Sequence, residues 1–239
     1  MVGFILSATP PPGWEEGLLR NIWASLIHAD RWQDLLNGLL VTLQVSAGAV
    51  LIGVILGLLS ALMRLSNIKP LNWLSTAYVS VFRGTPVLVQ LMIWWFVIFV
   101  GTDVTRLWVA IIAFGVNSGA YLCEVFRGGI MSVDKGQTEA GRSLGLSSTQ
   151  NMRLIILPQA IKNALPPLGN EFITMIKETS VVGFIGMVDL TRAADLIRAN
   201  TADPFVPLIS SAILYFTVIS ILTWLLSILE RRLRKSDTR

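Results

Sequence analysis

Residues 169–186, GNEFITMIKETSVVGFIG, set Glu171, Lys177 and Glu178 in a stretch that is otherwise apolar. Glu171, Thr174 and Glu178 fall at i, i+3 and i+7 and share one helix face, while Lys177 stands about 100° round from Glu178. An ionisable group at the centre of a lone membrane helix costs on the order of 3 kcal/mol. Three of them would keep such a helix out of a bilayer unless its neighbours helped it insert. Charged residues in that position face a bundle interior or a watery cavity and mark a substrate path. Two chemistries suit them: holding a charged solute, or relaying protons or ions.

The elements that must position these groups follow from composition. Of 239 residues, enough for one domain, 53% are hydrophobic and 14% charged, against roughly 25% charged in an ordinary soluble domain. Residues 35–63, 84–102, 107–123 and 204–229 contain no Asp, Glu, Lys or Arg. Crossing the hydrocarbon takes roughly 20 apolar residues in a helix. The chain therefore reads as an all-α membrane protein with about five transmembrane helices. Span one covers about Leu36–Met63, and its Gly48, Gly53, Gly57 and Ala61 allow close approach by a neighbour. Span two covers about Leu74–Val100 and is interrupted by RGTP, Arg83 to Pro86. Proline removes a donor and disfavours helix at the preceding residue, so a break is expected there. Spans three, four and five cover about Leu107–Phe126, Pro166–Val188 and Pro207–Leu229.

Residues 1–34 form an N-terminal segment, 35–230 the transmembrane domain and 231–239 a basic tail. In WEEGLLRNIWASLIHADRW the apolar residues follow a helical spacing, and Trp14, Trp23 and Trp32 suit a helix lying along the interface. The segment MVGFILSATPPPG has no basic start and too short an apolar run for a signal peptide, so the first long span is expected to direct insertion. One face holds Arg64, Lys69, Arg127, Lys135, Arg142, Arg153, Lys162, Arg231, Arg232, Arg234, Lys235 and Arg239; the other holds Arg20, Arg31, Arg106, Arg192 and Arg198. The positive-inside rule puts the first group in the cytoplasm and the N-terminus outside, which five spans allow. The lone Cys123 excludes an internal disulfide, and the lone His28 has too little company for a metal site. Basic residues are not interleaved with aromatic platforms, so no nucleic-acid partner is expected.

Within the cytoplasmic loop of residues 127–165, TEAGRSLGLSSTQNMRLIILPQA (138–160) is polar and glycine-punctuated. Asp134 with Gln137 three residues on resembles a capping arrangement that opens a helix through Leu144. Gly145 is a natural stop because glycine adopts the left-handed conformation without penalty. Ser147 or Ser148 caps a second helix, expected to run to Leu157 and stop at Pro158. A slack loop needs neither caps nor an elbow; a docking surface does.

EAGRSLG (Glu139–Gly145), followed by IILP (Ile155–Pro158), resembles the EAA signature of ATP-binding cassette (ABC) importer permeases. Gly141 stands where that motif usually has alanine, at some cost in helix stability. LLNGLLVTLQVS, YVSVFRGTPVLVQL, NSGAYLCEVFRGGI and KETSVVGFIGMVDL are similar to the polar amino-acid branch, and the resemblance spans roughly residues 35–235. It implies that the loop is the coupling helix that sits in a groove of an ATPase subunit, with Glu139, Ala140, Gly141, Gly145, Leu146 and Pro158 at that contact. It also implies a second permease chain, identical or paralogous, two cytoplasmic ATP-binding subunits and an extracytoplasmic solute-binding protein, in a bacterial cytoplasmic membrane. The chain itself lacks a GxxxxGK[ST] loop, so neither enzymatic ATP hydrolysis nor a cofactor of its own is expected.

An amino-acid substrate carries an ammonium and a carboxylate, and the pathway must replace the hydration that both lose. Glu171 and Glu178 suit the ammonium and Lys177 the carboxylate; Thr174, Asn117 and Gln90 complete the candidate site. Two acids against one lysine point to a cationic substrate. The competing expectation is that these charges form structural pairs with Arg83, Glu124, Arg127 or the partner chain. An ion-coupled carrier is a rival reading, weakened by few spans and no visible inverted repeat; a non-transporting membrane scaffold is another.

Overall fold

The computed structural model describes residues 17–235; Trp14 and the end of the tail, with Arg239, lie outside the described residues. Helix α1 (Leu18–Ile22) continues through a π turn, Trp23–Ile27, and a 3₁₀ turn, His28–Asp30. Ala29 and Asp30 both take positive φ, which turns the chain into α2 (Trp32–Leu65). Then come α3 (Lys69–Gly84), α4 (Val87–Ile93) with a π turn at Trp94–Ile98, α5 (Arg106–Met131), α6 (Lys135–Ser143), α7 (Ser148–Asn151), α8 (Leu157–Glu178), α9 (Leu190–Thr201) and α10 (Phe205–Lys235).

The central pair is α2 against α5, and small residues on both sides create it. A Cβ on Gly53 would stand 2.8 Å from Ser118 Oγ, one on Gly57 2.7 Å from Leu122 Cβ, and one on Gly115 of α5 2.7 Å from Ile52 Cβ. The stripe expected on span one is thus a packing seam, and α5 answers it with glycines of its own. Close backbone approach of this kind is what joins helices where lipid removes the hydrophobic drive. Around the seam, Val45, Ala49, Leu91, Phe114, Met175 and Val182 bury the main core.

Among the described residues three helices are long and apolar enough to cross a membrane: Trp32–Leu65, Arg106–Met131 and Phe205–Leu233. The pair Lys69–Gly84 and Val87–Ile98, bent by 105°, makes a fourth if taken as one broken span. The break falls at the RGTP stretch, as the proline requires. Span four, α8, is not among the apolar helices, because Lys162, Glu171, Lys177 and Glu178 lie along it.

Two boundaries differ from the sequence reading. The helix does not stop at Pro158: α7 runs through a π turn, Met152–Ile156, directly into α8, which carries Pro158 in its first turn and Pro166 and Pro167 inside it. In the π register the Leu157 N–H bonds to Met152 O, five residues back. The wider turn moves the Leu154 carbonyl off the pyrrolidine ring that an α turn would drive into it. Span four therefore begins its helix at Leu157 rather than near Pro166, and its α-helix ends at Glu178, the remainder to Ile185 being 3₁₀. Gly186 (φ 75°) ends that turn, and the buried Asp189 accepts from the N–H groups of Thr191 (3.1 Å) and Arg192 (3.0 Å) to open α9.

Candidate functional site

The charged face of α8 meets α5 at one point. Ser118 Oγ donates to Glu171 Oε1 at 2.9 Å, and the missing Cβ of Gly53 leaves room for that serine. Glu171, Thr174 and Glu178 are half-buried and Lys177 is exposed. Among the described residues none of Glu171, Lys177 and Glu178 makes an ion pair; Glu178 and Arg83 act on Glu171 only through space. The arginines named as competing partners are engaged elsewhere. Glu124 binds Arg64 and, at 2.7 Å, Arg127, with Arg83 at 3.9 Å. Arg83 is the loosest member of that cluster: its side chain is 44% exposed, and its guanidinium lies 5.1 Å from the Tyr121 ring centroid.

Gln90 and Asn117 sit together at the α3–α4 break, for a reason the backbone dictates. Pro86 has no N–H, so the Phe82 carbonyl four residues earlier loses its helical donor. Gln90 Nε2 (2.9 Å) and Asn117 Nδ2 (3.1 Å) both donate to Phe82 O instead. Asn117 also donates to Gln90 Oε1 at 2.9 Å, and Gln90 Nε2 donates to Thr85 Oγ1 at 2.7 Å. Both amides are buried, and no hydrogen bond joins either to Glu171. They staple the bend and so fix where Arg83, next to Phe82, leaves the helix. Sequence reasoning missed Ser118 and underrated Arg83. The signal for both was present: a hydroxyl beside Asn117, and an arginine at a broken span.

Beyond the other end of α5 stands the polar insert. Asp134 Oδ1 accepts from Gly136 N at 2.6 Å to open α6. Gly145 (φ 81°) closes it, with Gly145 N bonded to Arg142 O (2.9 Å) and Leu146 N to Gly141 O (3.1 Å). Those two bonds satisfy the last carbonyls of the helix in a Schellman motif. Ser147 and Gln150 cap each other reciprocally at the start of α7. Asn151, buried, donates through Nδ2 to Thr138 O at 2.9 Å and lays Oδ1 against the Cα of Gly141, in the space an alanine Cβ would fill. Glu139, Ala140, Gly145 and Pro158 are exposed, Leu146 is half-buried and Gly141 buried. Leu144 is 80% exposed and Leu154 63%. Exposed apolar residues on a rigidly capped elbow suit docking.

A glycine-seamed helical bundle, a broken span, a helix face whose Glu171, Lys177 and Glu178 make no ion pair among the described residues, and a capped elbow are the features of a membrane permease with a surface for a partner. Residues 53–235 match the family described as binding-protein-dependent transport system inner membrane component, and the chain belongs to that family. It is 39% identical over 205 residues to the arginine transport system permease protein ArtQ of Bacillus subtilis, covering 85% of this chain and 94% of that one. It is 39% identical over 201 residues to a putative glutamine transport system permease protein GlnP of Rickettsia bellii, covering 83% and 92%. The fold matches the crystal structure of an amino acid ABC transporter with histidines at TM-score 0.81 and 44% identity, covering 85% of this chain and 96% of that one. A structure of the MetNI methionine ABC transporter, at 19% identity and TM-score 0.65, shares the fold. The protein is thus the transmembrane permease subunit of an ABC importer; ATP hydrolysis belongs to separate subunits, and membership of the family implies ATP-binding partners and a substrate-binding protein. These comparisons favour the importer over the carrier and the scaffold.

Proposed function

We propose that the chain forms half of an amino-acid pathway across the bacterial cytoplasmic membrane, paired with a second permease chain, identical or paralogous. Two cytoplasmic ATP-binding subunits dock on the α6–α7 elbows, and an extracytoplasmic solute-binding protein delivers the amino acid. Closure of the ATPases draws the elbows together and opens the pathway outward, with no cofactor, metal or nucleic acid engaged by this chain. Support for an amino-acid substrate comes from relatives named for arginine and glutamine.

The observation that carries the site is Glu171, oriented by Ser118 within the bundle and joined to no cation among the described residues. A carboxylate desolvated without a partner is costly, and a substrate ammonium supplies one. Glu178 and Thr174 on the same face and Lys177 beside it extend the site, and Arg83 stands opposite for the α-carboxylate. Gln90 and Asn117 hold that arginine in place. The excess of acid over lysine within residues 169–178 selects a cationic amino acid. Glu171→Gln is expected to lower uptake of arginine, lysine or histidine tenfold or more, the range of a charge-assisted hydrogen bond, while basal ATPase activity and assembly stay unchanged. Normal uptake by the assembled variant would remove Glu171 from the site.

A further inference from the structure

Among the described residues three ion pairs join side chains three residues apart: Arg127 with Glu124 at 2.7 Å, Arg192 with Asp195 at 2.6 Å and Arg198 with Asp195 at 2.6 Å. Arg31 and Asp34 have the same spacing at the start of α2 and do not pair. The cause is local. Ala29 and Asp30 stand in the left-handed region, and Arg31 Nη1 donates back to Ala24 O at 2.6 Å. Two non-glycine residues in succession at positive φ are costly to maintain. Among the described residues they leave Asp34 without a cation and most of the Arg31 fork without an acceptor.

Both side chains line a groove of about 400 Å³ between α2 and α9, where Asn37 and Asn200 add two amides without hydrogen bonds among the described residues. Val188 and Leu196 form its apolar wall. A groove of this size, open on one side with Asp34, Asn37 and Asn200 exposed along it, has room for a small organic solute. One anion, one cation held apart from it and two amides are the partners that an α-amino acid head group requires.

We propose that this groove is a second, outer site for an α-amino acid, with Asp34 taking the ammonium, Arg31 the carboxylate, and Asn37 and Asn200 the remaining polar groups. It is separate from the site at Glu171. Gly53 lies against Ser118, the partner of Glu171, and from residue 34 to residue 53 α2 rises about 28 Å. The outer site lies on the face that the topology assigns to the solute-binding protein, so it would receive the solute before the inner site does. The inference rests on the amino-acid reading of the pathway.

The test is equilibrium dialysis of radiolabelled L-arginine, L-glutamine and L-cystine against the purified permease–ATPase complex without binding protein. The expected result is two sites per permease chain for one of these solutes. Asp34→Asn and Arg31→Gln should each weaken one site tenfold or more and leave the other, which Glu171→Gln alone removes. Retention of that other site shows that the outer variants are folded; if they are not, Asn200→Leu, an exposed change on α9, decides. A single site, lost in Glu171→Gln and untouched by Asp34→Asn and Asn200→Leu, overturns the outer site and spares the pathway reading. No binding of any of the three overturns both.

Discussion

Gly141 shows how one missing methyl group sets local architecture. Alanine is the better helix former by about 1 kcal/mol, so glycine here needs a reason, and Asn151 supplies it. The Asn151 carboxamide occupies the space of the absent Cβ while its Nδ2 ties α7 to the Thr138 carbonyl of α6. Its Oδ1, buried and without a conventional donor, rests on the Gly141 Cα, a weak contact of the Cα–H···O kind. Gly141→Ala should therefore destabilise the elbow by about 1–3 kcal/mol, the range for overpacking. Adding Asn151→Ala should recover part of that loss, because the clash goes with the amide. Thermal unfolding of the detergent-solubilised protein checks both; a single variant as stable as the wild type would remove Asn151 as the reason for the glycine. The sequence showed that Gly141 departs from a pattern, but not why, since its partner lies on the next helix. Gln90 and Asn117 were hidden in the same way. Their polarity in an apolar span was visible; the carbonyl that Pro86 orphans becomes visible only once Asn117 is placed beside Phe82.

Local signals were read well wherever one residue determines one bond. Asp134 at the start of α6, Gly145 at its end and Ser147 at the next start all stand where their chemistry predicts. Pro158 failed the same logic because the chain has a second way to accommodate proline, a π turn, which depends on five residues at once. Continuity carries the helix from α7 through the π turn and α8 to Glu171, with Pro166 and Pro167 on the way. The path from the elbow to the charged face therefore has no helix end at Pro158. The elbow is also the place to break coupling. Nothing lies within 4 Å of a Cβ built on Gly145, and Asp tolerates positive φ better than most residues. Gly145→Asp is expected to leave the chain inserted and assembled, to put a charge beside Leu144 and Leu146, and to cut uptake per ATP hydrolysed several-fold. An unchanged transport-to-hydrolysis ratio would mean that the ATPase contact lies elsewhere.

At the scale of the molecule, the positive-inside count and the placement of the site have to agree. The count puts Arg106, α9 and the outer groove on one side of the membrane, and the Glu124 cluster, the elbow and the basic tail on the other. The fold is compatible with that division: α5 runs from Arg106 past Ser118 to Glu124, so on this assignment one helix would link the outer face, the Glu171 level and the inner face. Charge counting needs only loop composition, whereas the span count depends on α8, whose charges keep it out of the apolar class and of which Glu171 is held by Ser118 of α5. Single cysteines test the arrangement cleanly, since native Cys123 is fully buried and gives little background. Ala199 and Glu139 are exposed, in α9 and α6 respectively. In intact cells an impermeant maleimide should label Ala199→Cys and spare Glu139→Cys, which should react only after permeabilisation. Labelling of position 139 from outside would put the elbow beyond reach of any cytoplasmic ATPase, and labelling of 199 only after permeabilisation would place the α2–α9 groove on the wrong face to meet a delivered solute.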